Sequence, residues 1–419
     1  MKMGGISGTL LALAAATLAA QVPDSRWQFS GFGTLGVAAT STHQVAYLRD
    51  VTQPKGIVDH PEATADSRLG LQWGGRFSEN LYGSVQVLSK YRYDGTFRPV
   101  VHSAFLGWNP TTNLELRAGR LNIEFNLAGD SRDVGYSYLF VRPPVEFYAR
   151  NAPNQFTGMD VASTFPLAGG HTLRVKAWGG TIAEERIALK NADPWSVTGN
   201  PVGGLIVDWQ GGPWRAKASW EVSRFIVPWA ATIQVLPDTL EVLAGAVHEP
   251  KLLAAATALQ IKGGVTHSWN AALAYESGPV QAQMELSRLG SNRLALPNAW
   301  GGYASFGYRM GAVVPYGLFS RVVSPQASAP DLGILPTVPD LGPRVVAAVQ
   351  DLLYYLHNNQ TTVAAGLRWD FRPKTALKLQ VDHIRANDAP GLWFRLQPGW
   401  DGKAKVYSVT LDFVFGGGR

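Results

Sequence analysis

The chain has 419 residues, 46% of them hydrophobic and 16% charged, and a mean hydropathy of −0.03 excludes a bundle of membrane-spanning helices. Its net charge of +6 comes without any run of lysine or arginine, so no nucleic-acid partner is expected. The absence of cysteine excludes disulfide staples and thiolate metal sites, and 45 glycines with 14 tryptophans and 14 tyrosines suit strands, tight turns and aromatic belts.

At the N-terminus Lys2 is followed by an apolar stretch from Leu10 to Leu18 and then Ala19-Ala20, ahead of the polar Gln21-Val22-Pro23-Asp24. This pattern reads as a secretory signal peptide over residues 1–20, leaving 21–419 as one domain. The stretch is short of the ~20 residues a helical span needs, and so is the most apolar later run, Leu252 to Leu259. Any membrane crossing must therefore be made by strands.

Strand-like segments recur from Trp27 to Phe415. Short turns are expected at 78–80, 109–113, 166–170, 210–213, 276–279, 311–314 and 371–374. Longer connections are expected at 41–63, 93–98, 128–152, 183–198, 228–264, 290–298, 324–360 and 387–402. Such an alternation of short and long connections predicts an even-stranded barrel of about sixteen strands, with periplasmic turns, extracellular loops and both termini in the periplasm.

Face assignment sharpens this prediction, because Arg or Lys on the lipid face near the midplane costs ~2–4 kcal/mol and a charge in the lumen costs little. Leu69, Leu71, Trp73 and Phe77 oppose Arg68, Gln72 and Arg76; Leu173 and Val175 oppose Arg174 and Lys176; Ala216, Ala218 and Trp220 oppose Arg215, Lys217 and Glu221. Trp269 and Leu273 oppose Asn270, Met284 and Leu286 oppose Glu285, Leu367 and Trp369 oppose Arg368 and Asp370, and Leu377 and Leu379 oppose Lys378 and Asp382. In the last strand Tyr407, Val409, Leu411, Phe413 and Phe415 oppose Ser408, Thr410 and Asp412. A soluble β-sandwich or propeller also alternates, but the export signal, the aromatic ends of the apolar faces and the lack of a propeller-like repeat speak against it. The fold class expected is all-β: a transmembrane antiparallel up-and-down β-barrel with short helical segments in its extracellular loops.

Sixteen strands leave an aqueous lumen, so inward side chains form a selectivity surface. The inward bases Arg68, Arg76, Arg174, Lys176, Arg215, Lys217, Arg368 and Lys378 slightly outnumber the inward acids Glu221, Glu276, Glu285, Asp370, Asp382 and Asp412, which predicts a weak anion preference. In Leu114-Glu115-Leu116-Arg117-Ala118-Gly119-Arg120 the two arginines have opposite parity, so both face water only through a bulge or a rim position. Arg120, nearer the loop that follows and preceded by Gly119, is taken as the wall residue.

That third loop, about 128–155, holds Asp130, Arg132, Asp133, Arg142, Glu146 and Arg150 among Tyr136, Tyr138, Phe140, Phe147 and Tyr148. The mixture suits a constriction loop folded into the pore, where opposed charges set up a transverse field; a solvent-exposed loop with its own salt bridges is the alternative. Further on, Pro237 to Leu259, broken at Pro250, and the segment after Pro343 carry apolar residues at helical spacing. They are read as short helices that cap the barrel mouth or pack together, the alternative being a docking surface for a neighbouring subunit, a surface partner or lipopolysaccharide. The eight histidines are scattered without metal-ligand spacing and no serine sits in a nucleophile elbow, so no enzyme activity, metal or cofactor is expected.

At this point the chain resembles the Gram-negative outer-membrane porins. The resemblance rests on the terminal Val409-Thr410-Leu411-Asp412-Phe413-Val414-Phe415, on Gly119-Arg120 ahead of a long third loop, and on Gly366-Leu367-Arg368-Trp369-Asp370-Phe371. It implies a diffusion channel in the bacterial outer membrane, a homotrimer among outer-membrane lipid and lipopolysaccharide, with Phe415 read by the barrel-assembly machinery and Arg120 lining the constriction. The sequence departs from that family in continuing beyond Phe415, in offering Arg142-Pro143-Pro144-Val145-Glu146-Phe147 within the third loop, and in its long apolar loops 228–264 and 324–360. The function expected is passive diffusion of small hydrophilic solutes. The alternatives are a substrate-specific channel for an anionic nutrient and a surface scaffold or adhesin anchored by a barrel.

Overall fold

The computed structural model describes residues 26–149, 154–183, 186–189, 192–226, 231–325, 327–387, 393–394 and 399–416. The signal peptide read over 1–20 and Arg150 of the third loop lie outside the described residues. Sixteen strands close into one antiparallel barrel. In chain order they are β1 (Trp27–Thr40), β2 (Arg68–Arg76), β3 (Leu81–Lys90), β4 (Val100–Thr111), β5 (Leu114–Asn122), β6 (Gln155–Leu167), β7 (His171–Ile182) and β8 (Pro201–Gly211). The circuit continues through β9 (Trp214–Arg224), β10 (Val265–Ser277), β11 (Val280–Ser291), β12 (Ala299–Tyr308), β13 (Val313–Val323), β14 (Asn359–Arg372), β15 (Thr375–Ala386) and β16 (Lys403–Gly416).

Each strand pairs with its sequence neighbours, and β1 closes the circle on β16 in a register from Ser30↔Gly416 to Thr40↔Val406. Closure leaves no unpaired strand edge, which a lipid environment requires. At this seam the Phe415 ring covers Gly31 and the Phe413 ring covers Gly33, where an added Cβ would stand 2.4 and 2.3 Å from ring carbons. Glycine on β1 thus makes room for two aromatic rings of the lipid face.

The expected faces are those observed. Leu71, Trp73, Val175, Trp269, Leu286, Trp369, Leu379 and Tyr407 are exposed on the outside, whereas Arg68, Lys176, Lys217, Glu285, Lys378 and Asp412 are buried within. Near the periplasmic end the outer surface carries aromatic clusters, including Trp27 against Trp73 and Phe77 at 6.2 and 6.1 Å between centroids and Trp214 against Tyr275 at 4.6 Å. An apolar exterior bounded by aromatic rings is the surface of a transmembrane barrel. No described helix is long and apolar enough to cross a membrane, so the strands make the crossing.

The seven turns and eight loops fall where they were read, with two shifts. The turn expected at 311–314 lies two residues earlier, at 309–312, because β12 ends at Tyr308 and β13 begins at Val313 after a bridge between Met310 and Val313. The third loop leaves β5 at Asn122, ahead of the expected 128, since Ile123 and Phe125 continue a strand-like alternation but turn inward against Trp178 and Phe156.

Among the described residues four α-helical segments lie in loops: α1 (Val145–Tyr148), α2 (Ala231–Val247), α3 (Pro250–Leu259) and α4 (Leu341–Leu356). α2 starts at Ala231 rather than Pro237 and carries that proline in its interior, at the cost of one backbone hydrogen bond. α3 has proline at its first position and is capped by Glu249, which accepts from Lys251 N. Leu240, Leu252, Leu259, Val345 and Val349 bury one another, so the helices of the fifth and seventh loops pack together over the barrel.

Candidate pore and its in-folded third loop

The lumen is built from alternate residues of each strand, and the pairing fixes which ones. On β5 the register runs from Trp108↔Leu116 to Ala104↔Arg120 without a shift, so Arg117 faces inward and Arg120 outward. Arg120 donates Nη1 to Val101 O at 2.8 Å near the extracellular end. The expectation that Arg120 lines the wall is corrected: Arg117 takes that position. With no bulge at Gly119, strand parity alone decides between them.

Arg117 is the centre of a buried ion network. Its guanidinium holds both Asp160 oxygens at 3.0 and 2.5 Å and Glu124 at 2.8 Å. Lys176 joins Glu124 and Asp160 at 2.6 and 2.9 Å, and Arg174 joins Glu124 and Glu115 at 3.0 and 3.4 Å. Burial works against the Glu124 carboxylate, yet Lys176, Arg117 and Arg174 hold it well below the usual carboxylate range. Glu124 belongs to the loop, so this network fastens the start of the loop to β5, β6 and β7.

From there the loop is anchored around the inside of the wall. Lys217 on β9 donates to the carbonyls of Glu124 and Asn126 at 3.0 and 2.9 Å. Glu285 on β11 accepts from Leu127 N at 3.0 Å and from the hydroxyls of Tyr148 and Tyr303 at 2.6 and 2.7 Å. Asp133 meets Arg68 on β2 and Lys90 on β3, both at 3.4 Å, and Arg49 of the first loop at 3.8 Å. Burial raises the Asp133 carboxyl, but Lys90, His102, Arg68 and Arg49 together hold it well below its ordinary value.

Lys378 on β15, fully buried, donates to the carbonyls of Gly135, Tyr138 and Phe140 at 2.6 to 3.0 Å and pairs with Asp412 at 3.2 Å. Arg368 on β14 donates to the carbonyls of Tyr136 and Tyr138 at 2.9 and 3.1 Å. The loop backbone lies so close here that a Cβ on Gly135 would stand 2.0 Å from Asp412 Oδ1 and 2.4 Å from Thr34 Oγ1.

Arg142, 2% exposed, joins Asp66 through Nε and Nη2 at 3.1 and 2.5 Å, Asp382 at 3.3 Å and Ser408 Oγ at 2.6 Å. Burial raises Asp66, and the Arg142 charge beside it, with Arg49 and Arg68, brings it below the carboxylate range. Glu146 accepts from Ser320 and Gln360, both at 2.6 Å, and from Thr362. Arg132 bonds Asn154 and lies 5.9 Å from the Tyr148 ring.

Asp130 lies among Glu124, Lys217 and Arg215 and forms no ion pair among the described residues; burial and then the Glu124 charge raise its carboxyl. Between these anchors Tyr138, Phe140, Phe147 and Tyr148 pack on Tyr303 and Tyr316. The result is a third loop that lies inside the barrel and is hydrogen-bonded to most of its circumference.

The eight inward bases counted in the sequence are largely engaged. Arg68, Arg174 and Lys176 pair with acids, Lys217 and Lys378 hold loop carbonyls, Arg215 holds Asp208 at 2.6 Å, and Arg368 holds Asp370 at 2.9 Å. Arg76 has an Nε without a partner among the described residues. The count did not register Asp160, Asp208, Glu124 or Asp66, which neutralise these bases. Asp160 and Asp208 carry the same alternation signal as their strand neighbours, Met159 and Val161 or Val207 and Trp209 being outward. Phe415 lies at the β1–β16 seam, tilted against Phe29 at 6.3 Å.

The architecture defines a class: a closed sixteen-stranded transmembrane barrel with an in-folded third loop, the fold of the outer-membrane porins, seated in the bacterial outer membrane. Solved structures agree at the level of fold. Outer-membrane expressed OmpT of Vibrio cholerae matches with 11% identity and a TM-score of 0.53, over 94% of this chain and 100% of that one. The anion-selective porin from Comamonas acidovorans matches with 12% identity and a TM-score of 0.52, over 93% and 99%. The outer membrane channel DcaP of Acinetobacter baumannii matches with 12% identity and a TM-score of 0.52, over 95% and 100%. No protein-family model and no curated protein sequence matches this chain.

Proposed function

We propose that the protein is an outer-membrane channel for passive diffusion of small hydrophilic solutes, without catalysis or cofactor. The observation that carries this reading is a lumen lined by paired charges and hydroxyls beneath a third loop docked by side chains of the wall. Such a lining presents polar, preorganised surface to water beside the aromatic and aliphatic side chains through which the loop packs on the wall. The Comamonas and Acinetobacter proteins, described as a porin and a channel, support it by fold. A weak anion preference finds less support, since most of the bases behind it are matched by acids or by loop carbonyls.

Three further proposals accompany this reading. Export is directed by residues 1–20, insertion by the barrel-assembly machinery is guided by the Phe415 strand, and barrels associate as trimers amid outer-membrane lipid and lipopolysaccharide. A trimer form of Vibrio cholerae OmpT, of the same fold, is consistent with the last. The test is ionic current across a planar bilayer holding the purified protein. Stable current steps are expected; a folded barrel that inserts and carries no current would sink the channel reading and favour an anchored scaffold.

A further inference from the structure

We infer that Glu221, with the Trp178 ring and the facing Ser219 and Asn270, forms a subsite for organic ammonium groups in the extracellular half of the lumen. The inference rests on the channel reading and names the solute chemistry of one part of that channel.

Glu221 shares the inward parity of Lys217 and Ser219 on β9, three positions from Arg224 at the extracellular end, roughly 10 Å along the strand. It is half-buried and has neither an ion pair nor a hydrogen bond among the described residues. The inward carboxylates Asp160, Asp208, Asp370, Asp382 and Asp412 all hold a base. The nearest base of inward parity on its own strand, Lys217, is tied to two loop carbonyls and lies 3.7 Å from Asp208, while Arg224 has the opposite parity and is exposed. A charge on Glu221 therefore meets no compensating base among the described residues.

Its surroundings add direction to that charge. Across β8 stands Gly204, across β10 stands Ser268, and Trp178 on β7 faces Gly204 from the other side. A Cβ on Gly204 would stand 3.0 Å from Trp178 Nε1, so the indole lies over the glycine towards β9. The indole edge at Nε1 and Cε2 meets Gly204 and the ring packs on Phe156 at 4.8 Å, so Trp178 walls the site on the β8 side.

Below Glu221, Ser219 and Asn270 face each other across the β9–β10 pair, and both are 5% exposed. Asn270 Nδ2 is spent on Phe125 O and Glu285 Oε2, which orients the amide and leaves Oδ1 without a partner; Ser219 Oγ is likewise unpartnered. Buried acceptors without donors are costly unless water or a solute supplies them. A primary ammonium group offers three N–H donors and one positive charge, which match the carboxylate and the acceptors below it. An anion meets the uncompensated charge unfavourably, and a neutral sugar makes no use of it.

The experiment compares wild type with Glu221→Gln and Glu221→Asp by reversal potential under a potassium chloride gradient, then by block of the potassium current with butylammonium chloride. Wild type should lean to cations and be blocked. E221Q should lose about sixteenfold in cation-to-anion permeability, since one charge ~5 Å away in water favours a monovalent cation about fourfold and disfavours an anion about fourfold. E221D should stay near wild type. Current with unchanged selectivity and block in E221Q overturns the subsite alone, whereas absence of current from folded wild type overturns the channel reading and the subsite with it. If E221Q does not fold, wild type still decides: block by butylammonium but not by sodium butyrate supports the subsite, and equal effects overturn it.

Discussion

Replacing Arg142 by methionine should release the middle of the third loop from the wall while leaving the barrel closed. Arg142 joins Asp66, Asp382 and Ser408 in a site from which water is excluded. Removing one member of a buried ion pair costs ~3–5 kcal/mol, because the partner's charge is stranded. Here the lower end applies: Asp66 keeps Arg49 at 3.7 Å and Arg68 at 3.8 Å, and Asp382 loses the one base it pairs with among the described residues.

About 3 kcal/mol corresponds to roughly a hundredfold shift in the local opening equilibrium. Hydrogen exchange read by mass spectrometry on peptides spanning 138–149 should show amide protection falling by that factor, with strand amides unchanged. Adding Asp382→Asn to Arg142→Met should recover part of the protection, since the carboxylate that lost its base is then neutral while Asp66 keeps Arg49 and Arg68. Protection in R142M equal to wild type would refute the assignment of Arg142 as an anchor of the loop.

Two other outcomes follow from the same geometry. Gly135→Ala places a methyl group 2.0 Å from Asp412 Oδ1, an overpacking worth about 1–3 kcal/mol; the Gly135 segment should lift from Lys378 and single-channel conductance should rise, whereas unchanged conductance would contradict the close approach. The pH dependence of loop docking should be two-phased. Asp130 titrates above its ordinary value when docked, so docking strengthens as pH falls from neutral through that raised value. Asp66, Glu124 and Asp133 titrate below theirs, so their contribution is full above the unfolded carboxylate range of about 4 and is lost only as pH falls through the lowered values. Current noise from loop motion should therefore be least in mild acid and grow in strong acid. Asp130→Asn should abolish the first phase alone, and a monotonic profile in wild type would count against these assignments.

The barrel was legible because its physics is local. A lipid face must be apolar and a lumen can be charged, so Leu69-to-Phe77 or Tyr407-to-Phe415 declares its orientation residue by residue. The same rule misplaced the start of the third loop, where Ile123 and Phe125 alternate like a strand but turn inward onto the wall. It also left Arg117 and Arg120 to a choice that only the continuous β4–β5 register could make.

The lumen's electrostatics were the least legible part. Counting inward charges treats each as free, whereas Arg142 finds Asp382 and Lys378 finds Gly135 across some 240 positions of sequence. Such pairings depend on which strands face the loop, and no local pattern encodes that. Glu221 stands out only after the other pairings are known.

The most direct test of the central claim is the swelling of liposomes carrying the purified protein when they are placed in solutions of neutral sugars of increasing size. A channel narrowed by a wall-docked loop should admit the smallest sugars and exclude larger ones. R142M should move the cutoff upward. Liposomes that stay impermeable even to the smallest sugar, with the barrel folded and inserted, would contradict the account.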